Sequence, residues 1–238
     1  KAMMAIDKFA ESINKCAQVL KQFKIDLLDI LLSDNEKSLN SIVNPFVAIT
    51  AVQIALFDVL KEVDIQPDKI IGHSFGEIAC AYADGCLTLE QTILCSYWRG
   101  KVVEDSNIPK GKMAAVGLSW EEAIKKCPQN VYVACDNAHD SVTISGLEND
   151  ATNFIEQLKS ENVFVRDVVG YNLKPYHTNH LKPVADVLTK LLRKVIPQPK
   201  QRSSKWLSTS VPMTNWGDEL AQYASAEYFV NNLVKPVL

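Results

Sequence analysis

The chain has 238 residues, 47% apolar and 22% charged, with 25 basic against 28 acidic side chains and a formal net charge of −3. That length buries a self-sufficient core, and the composition excludes disorder, collagen and coiled coil. The near balance of charge excludes a basic footprint over the whole surface, so no nucleic-acid partner is expected.

No uninterrupted run of about eighteen apolar residues and no charged-then-apolar leader occurs, so neither a membrane span nor a secretion signal is expected. The six cysteines (Cys16, Cys80, Cys86, Cys95, Cys127, Cys135) form no C-x-x-C pair and never approach a histidine at zinc-ligand spacing. Reduced, mostly buried thiols, no metal site and a cytoplasmic setting follow as expectations. The first residues fall inside a helical pattern and Pro236-Val237-Leu238 stops in an apolar run, which reads as a segment of something longer.

In chain order, Met4, Phe9, Ile13, Cys16, Val19 and Leu20 recur at helical spacing, and a shorter pattern covers Ile25 to Leu32. Asn44-Pro45 opens a run apolar nearly all round, read as a helix buried beneath a sheet. After the break at Gln66-Pro67-Asp68, Lys69-Ile70-Ile71 is a short strand, and Gly72-His73-Ser74-Phe75-Gly76 turns directly into a helix from Glu77 to Ala83. Asp84-Gly85 ends that helix, and Thr88 with Gln91 is a capping box opening another through Trp98 and Arg99. From 112 the order is strand 112–118, helix 119–127, strands 131–135 and 141–145, helix 148–160 and strand 163–169. That βαββαβ order is the ferredoxin-like arrangement. The fold class is therefore α/β: a large part formed by 1–110 and 171–238, interrupted by a small ferredoxin-like insert at 111–170. The large part resumes near Tyr171 and carries a helix from Leu181 to Val195, and Ile196 to Lys205 is a basic, proline-marked connector.

Gly72-x-Ser74-x-Gly76 between an apolar strand and a helix is the nucleophile-elbow pattern, in which flanking glycines clear space for a serine hydroxyl lifted above the sheet. A serine needs a base, and histidine's ordinary pKa near 6.5 suits the task. His73 leaves the sharp turn in another direction, and His139 falls in the hairpin of the insert. His177 and His180 remain, His177 in an irregular stretch where the large part resumes. The group that orients the histidine is left open by spacing. Tyr97-Trp98-Arg99-Gly100 closes a helix, and its arginine either meets an anionic partner or is satisfied by the last helix carbonyls.

Gly72-His73-Ser74-Phe75-Gly76-Glu77, Tyr82-Ala83-Asp84-Gly85-Cys86-Leu87-Thr88 and Tyr97-Trp98-Arg99-Gly100 together resemble the malonyl/acetyl acyltransferase domain of animal fatty acid synthases and of animal polyketide synthases built on the same plan. Met113 to Glu121, Val142 to Gly146, Trp206 to Ser210 and Val230 to Val234 agree, so the likeness covers essentially the whole chain. It implies an α/β-hydrolase-like large part around the ferredoxin-like insert. Ser74 would take malonyl, acetyl or a branched extender such as methylmalonyl from coenzyme A and pass it to the phosphopantetheine thiol of an acyl carrier protein, with His177 as acid and base. The backbone N–H of Phe75 would supply half of an oxyanion hole, Arg99 would hold a malonyl carboxylate, and the carbonyl of Asn232 would orient the histidine. Acyl-CoA is then a substrate and no cofactor is tightly bound. The expected partners are the carrier protein and neighbouring domains such as a ketosynthase, within a homodimeric parent. Two departures stand out: a Gly-rich loop with the second oxyanion donor precedes the family pattern and is not in this sequence, and Lys174-Pro175-Tyr176 replaces the usual residues before the histidine. A serine thioesterase or esterase, and a non-catalytic docking segment, are the alternative readings.

Overall fold

The computed structural model describes residues 1–33, 40–170 and 172–238; Tyr171, where the large part was expected to resume, lies outside the described residues. The first stretch contains α1 (Asp7–Leu20), α2 (Leu27–Leu32), α3 (Val43–Glu62), β1 (Ile70–Ile71), α4 (Glu77–Ala83) and α5 (Leu89–Glu104). On α1, Phe9, Ile13, Cys16, Ala17 and Leu20 fall on one stripe and are buried. The Asp26 side chain accepts the Asp29 N–H and starts α2. The capping box at Thr88 and Gln91 forms as the sequence predicts and starts α5.

Two expectations for this region are corrected. α3 does not lie beneath a sheet: it sits among helices, against α1 and α5, in one shared apolar cluster. Nor is it buried all round, since Ile49, Leu56 and Leu60 are exposed. It is also the one described helix long and apolar enough to cross a membrane by length and composition, a feature hidden by the polar residues that interrupt its apolar run. One of these, Asp58, is buried against neighbouring helices and accepts the hydroxyls of Ser12 at 2.5 Å and Tyr82 at 2.6 Å. Secondly, α5 does not close at Gly100 but continues to Glu104. Gly100 serves helix packing rather than termination: a Cβ there would lie 2.9 Å from the Val43 Cα of α3.

The chain then forms β2 (Gly111–Val116), α6 (Trp120–Lys126), β3 (Val131–Ala138), β4 (Ser141–Leu147), α7 (Glu148–Ser160) and β5 (Val165–Asp167). The strands make one antiparallel sheet in the order β3-β4-β2-β5, the ferredoxin-like order. Ala123 of α6 and Ala151, Phe154, Ile155 and Leu158 of α7 cover Ala114, Val116, Val133 and Ile144 on one face. The remaining elements are α8 (Lys182–Val195), β6 (Trp206–Leu207), α9 (Glu219–Gln222) and α10 (Ala226–Val234). β6 pairs in parallel with β1, and α4, α5, α8 and α10 pack around these two strands in a second, larger core.

The two parts are joined along a seam. Met113, Ala134 and Cys135 on the sheet face away from α6 and α7 pack against Val237, Leu173 and Tyr176. The backbone of Val237 binds β3 directly: its N–H donates to the Ala134 carbonyl at 2.9 Å and its carbonyl accepts from Asp136 at 2.8 Å. The buried Lys174 ammonium donates to the Ile108 carbonyl at 2.6 Å and ties the outgoing and returning crossings together.

Candidate active site

Ser74 sits where β1 has ended and α4 has not begun, at φ 53°, a left-handed backbone that an L residue adopts only when its surroundings hold it there. Gly72 permits the turn. A Cβ on it would lie 2.6 Å from the Cys80 sulfur, 2.6 Å from the Gly76 carbonyl carbon and 2.7 Å from the Glu77 nitrogen. The matching expectation for Gly76 is corrected, because a Cβ there would meet nothing within 4 Å. One glycine of the pattern is therefore a steric requirement and the other is not.

The Ser74 hydroxyl and His177 Nε2 are 2.6 Å apart. His177 also has a positive φ, 61°. Its Nδ1 lies 2.9 Å from the Lys235 carbonyl, and since a carbonyl only accepts, Nδ1 carries the proton. Nε2 is then a lone pair facing the serine O–H, which is the tautomer a general base needs. Burial, with the Arg99 charge as a second cause, pushes the imidazole pKa down to about 3, so the ring is neutral at pH 7. The backbone of Asn232, expected to orient the ring, is a weaker influence on it than the Lys235 carbonyl. The larger orienting group is thus a carbonyl three residues further on, beyond the end of α10.

Asn232 has a different principal task. Its side-chain oxygen accepts from Arg99 Nη1 at 2.5 Å, and its amide donates to the Ser210 hydroxyl at 2.7 Å. Arg99 lies within α5, not at its end, and is 2% exposed. No carboxylate pairs with it among the described residues, and its Nε is buried with no hydrogen-bond partner. Burial lowers its pKa to about 10, which leaves it charged at neutral pH. The guanidinium carbon stands 5.7 Å from the centre of the Phe75 ring, itself stacked on Phe46 at 4.5 Å. Phe75 thus touches the site twice, with its backbone beside Ser74 and its ring beneath the free cation.

Other sequence candidates lie elsewhere. His180 packs edge-on against Tyr132 and contacts the Asn130 carbonyl at 3.3 Å. His139 is exposed beside Asp140. His73 reaches across to the insert, with Nε2 3.3 Å from Asn137 Oδ1. On the proline-marked connector, Lys200 and Lys205 donate to the Gly85 and Pro67 carbonyls, and Arg202 lies over the Trp206 and Tyr228 rings. These cations staple the connector to its own fold. Ser74 lines an open groove of about 590 Å³ with Gln53, Phe57, Gly72, His73 and Phe75. A roomier concavity of about 830 Å³ between α5 and α8 contains neither Ser74 nor His177. Among the described residues no cluster of His, Cys, Asp and Glu forms a metal site, and all six cysteines are free thiols.

Fold and site define an α/β protein with a serine elbow, a neutral histidine held by a backbone carbonyl beyond α10, and a buried arginine. The chain belongs to the acyl transferase domain family, whose description matches residues 1–238. It is 34% identical over 240 residues to the squalestatin tetraketide synthase of Phoma sp., covering 96% of this chain and 9% of that protein. It is 38% identical over 198 residues to the hybrid PKS-NRPS synthetase LUC5 of Fusarium sp., covering 79% of this chain and 5% of that protein. The chain thus spans about a tenth or less of the curated relatives it matches. In fold it is similar to the acyltransferase domain from module 8 of the salinomycin polyketide synthase, with a TM-score of 0.82 at 22% identity, covering 96% of this chain and 53% of that one. The loading acyltransferase of the avermectin modular polyketide synthase superposes with a TM-score of 0.85 at 19% identity, over 100% of this chain and 74% of that one.

Proposed function

We propose that this chain carries a short acyl unit, malonyl above all, from coenzyme A through an ester on Ser74 to the phosphopantetheine thiol of an acyl carrier protein. The observation that carries the reading is the 2.6 Å contact between Ser74 and a His177 Nε2 whose other nitrogen is committed to a carbonyl. In the first half-reaction Nε2 takes the serine proton as Oγ attacks the thioester carbonyl, and the Phe75 N–H receives the oxyanion. The imidazolium then protonates the departing coenzyme A thiolate, a transfer favoured by burial that disfavours the charged ring. In the second half the carrier thiol gives its proton to Nε2, its sulfur attacks the ester, and Ser74 recovers its proton.

Arg99 gives the selectivity. A buried guanidinium with a free N–H and no carboxylate of its own is completed by the anionic end of a malonyl group. Acetyl enters without that contact, so dual use follows, with malonyl preferred. The parent is read as a polyketide synthase, which the names of the fungal relatives support; the animal-synthase type enters as the finer assignment carried by the segments quoted from the sequence. Neighbouring ketosynthase and carrier domains, a dimeric parent and a cytoplasmic setting belong to the same reading.

Incubation with malonyl-CoA, followed by mass spectrometry of the intact chain and its peptides, should place one malonyl ester on Ser74 and none in Ser74→Ala. Added carrier protein should then receive the group as a thioester. An absent adduct sinks the proposal, and release of free malonate in place of transfer turns it into a thioesterase.

A further inference from the structure

Glu77 is the first residue of α4 and is fully buried, yet neither proton-transfer step uses it. Its Oε2 accepts from the Trp206 indole N–H at 2.6 Å and the Tyr228 hydroxyl at 2.8 Å. Its Oε1 accepts from the Thr209 backbone N–H at 2.6 Å and also lies 2.8 Å from Thr209 Oγ1. That same Oγ1 is 2.6 Å from the Gly72 carbonyl. The three oxygens in this row need two protons to be joined by two hydrogen bonds. The Gly72 carbonyl has none and the threonine hydroxyl has one. The second must sit on Glu77 Oε1, which then donates to Thr209 while Thr209 donates to Gly72. If Glu77 ionises, one of the two close contacts loses its proton and becomes a repulsion between lone pairs.

We propose that Glu77 is a positioning residue that acts as a neutral carboxylic acid: through Thr209 it fixes the Gly72 carbonyl, and with it the backbone on which Ser74 is held at positive φ. Burial raises the Glu77 carboxyl above the ordinary carboxylate range, in the same direction as the proton count. The groups that face it are Tyr228 on α10, Cys80 on its own helix with Asp84 at the far end, and Arg202, whose guanidinium stacks on Trp206 and Tyr228 at 4.7 and 4.8 Å. Tyr228 and Cys80 are themselves held protonated by burial; the hydrogen bonds that Thr209, Tyr228 and Trp206 direct at the Glu77 carboxyl favour its ionisation, and burial outweighs them. Both carboxyl oxygens accept an N–H, so an amide in either orientation would turn a donor toward a donor. Glu77→Gln is therefore a poor mimic of the neutral acid, and the informative changes lie on its partners.

The kinetic part of the test rests on Ser74 acylation, and the spectroscopic part does not. In the 238-residue chain labelled with carbon-13 at glutamate carboxyls, one carbon should resonate in the protonated range at pH 7 and should shift in both Thr209→Ser and Tyr228→Phe. Carboxyl carbons all in the ionised range at that pH overturn the proposal whether or not the chain acylates. Thr209→Val should slow kcat for malonyl loading about tenfold, the worth of one hydrogen bond, with KM within twofold. Thr209→Ser should restore it. Above neutral pH the loading rate of the wild type should fall with the same midpoint as the Glu77 carbon signal, and Thr209→Val should lose that limb. Equal losses in the serine and valine variants, or a rate indifferent to the Glu77 titration, overturn the coupling.

Discussion

Substituting Asn232 separates two tasks that the sequence merged. Its side chain accepts from Arg99 Nη1 at 2.5 Å and donates to Ser210 Oγ at 2.7 Å, while only its backbone bears on His177. Asn232→Ala therefore leaves the base in place and frees the arginine. A hydrogen bond to a charged group is worth about 1.5–3 kcal/mol, which is a factor of about 10 to 150 in rate. Malonyl loading, measured as kcat/KM by rapid quench and intact mass, should fall within that range, and acetyl loading should stay within about twofold. The orphaned buried donor should also lower stability by about 2–3 kcal/mol, or about 4–12 °C in Tm for a domain of this size, so loading is compared well below the transition. Asn232→Asp should hurt malonyl loading more than alanine does, because the new carboxylate occupies the guanidinium in the substrate's stead. Equal losses for malonyl and acetyl would refute the reasoning and return Asn232 to the histidine.

The two glycines of the elbow should respond oppositely to alanine. Gly72→Ala forces a Cβ into contacts of 2.6 and 2.7 Å and should cost about 1–3 kcal/mol or more in chemical denaturation, whereas Gly76→Ala meets nothing at an ordinary helical φ of −59° and should gain about 0.4–1 kcal/mol. A destabilised Gly76→Ala would contradict the steric account. Because the His177 pKa is depressed to about 3, the acid limb of the acylation profile should lie well below pH 6.5, and a midpoint near 6.5 would show a solvated ring. The same depression has a folding consequence: the unfolded chain binds a proton below about pH 6.5 that the native ring refuses, so stability falls as pH drops, by up to about 1.4 kcal/mol per unit between pH 6 and 4. His177→Asn should remove that component from urea titrations, and an unchanged slope would count against a buried neutral imidazole.

Much of the fold is legible in the sequence because its signals are local. The helix 148–160 matches α7 at both ends, and the capping box at Thr88 and the alternation of turns and apolar runs after 111 fix their elements within a few residues. Ser74 is legible for the same reason, since strand, glycine and helix sit side by side. Long-range packing explains the failures. Gly100 reads as a terminator because its close neighbour, Val43, is far away in the chain. Lys235 has no signature at all, because it acts through a carbonyl that every residue possesses. Glu77 lies beside the serine in plain view, but its partners Trp206, Thr209 and Tyr228 are more than a hundred residues away. Ser208, Thr209 and Ser210 read as an ordinary polar stretch, although between them they bond Tyr228, Glu77, Gly72 and Asn232.

The carbonyl that steers His177 belongs to Lys235, and two residues later Val237 is woven into the insert sheet while Leu238 donates to Thr209 at 2.8 Å. The segment 235–238 therefore acts as a latch linking the imidazole, the small sheet and the floor of the serine turn. A breathing motion that peels this latch away would leave both reactive side chains intact yet misaim the ring. Under the proposed chemistry, acyl loading would then vanish in a sub-population that still looks folded by circular dichroism.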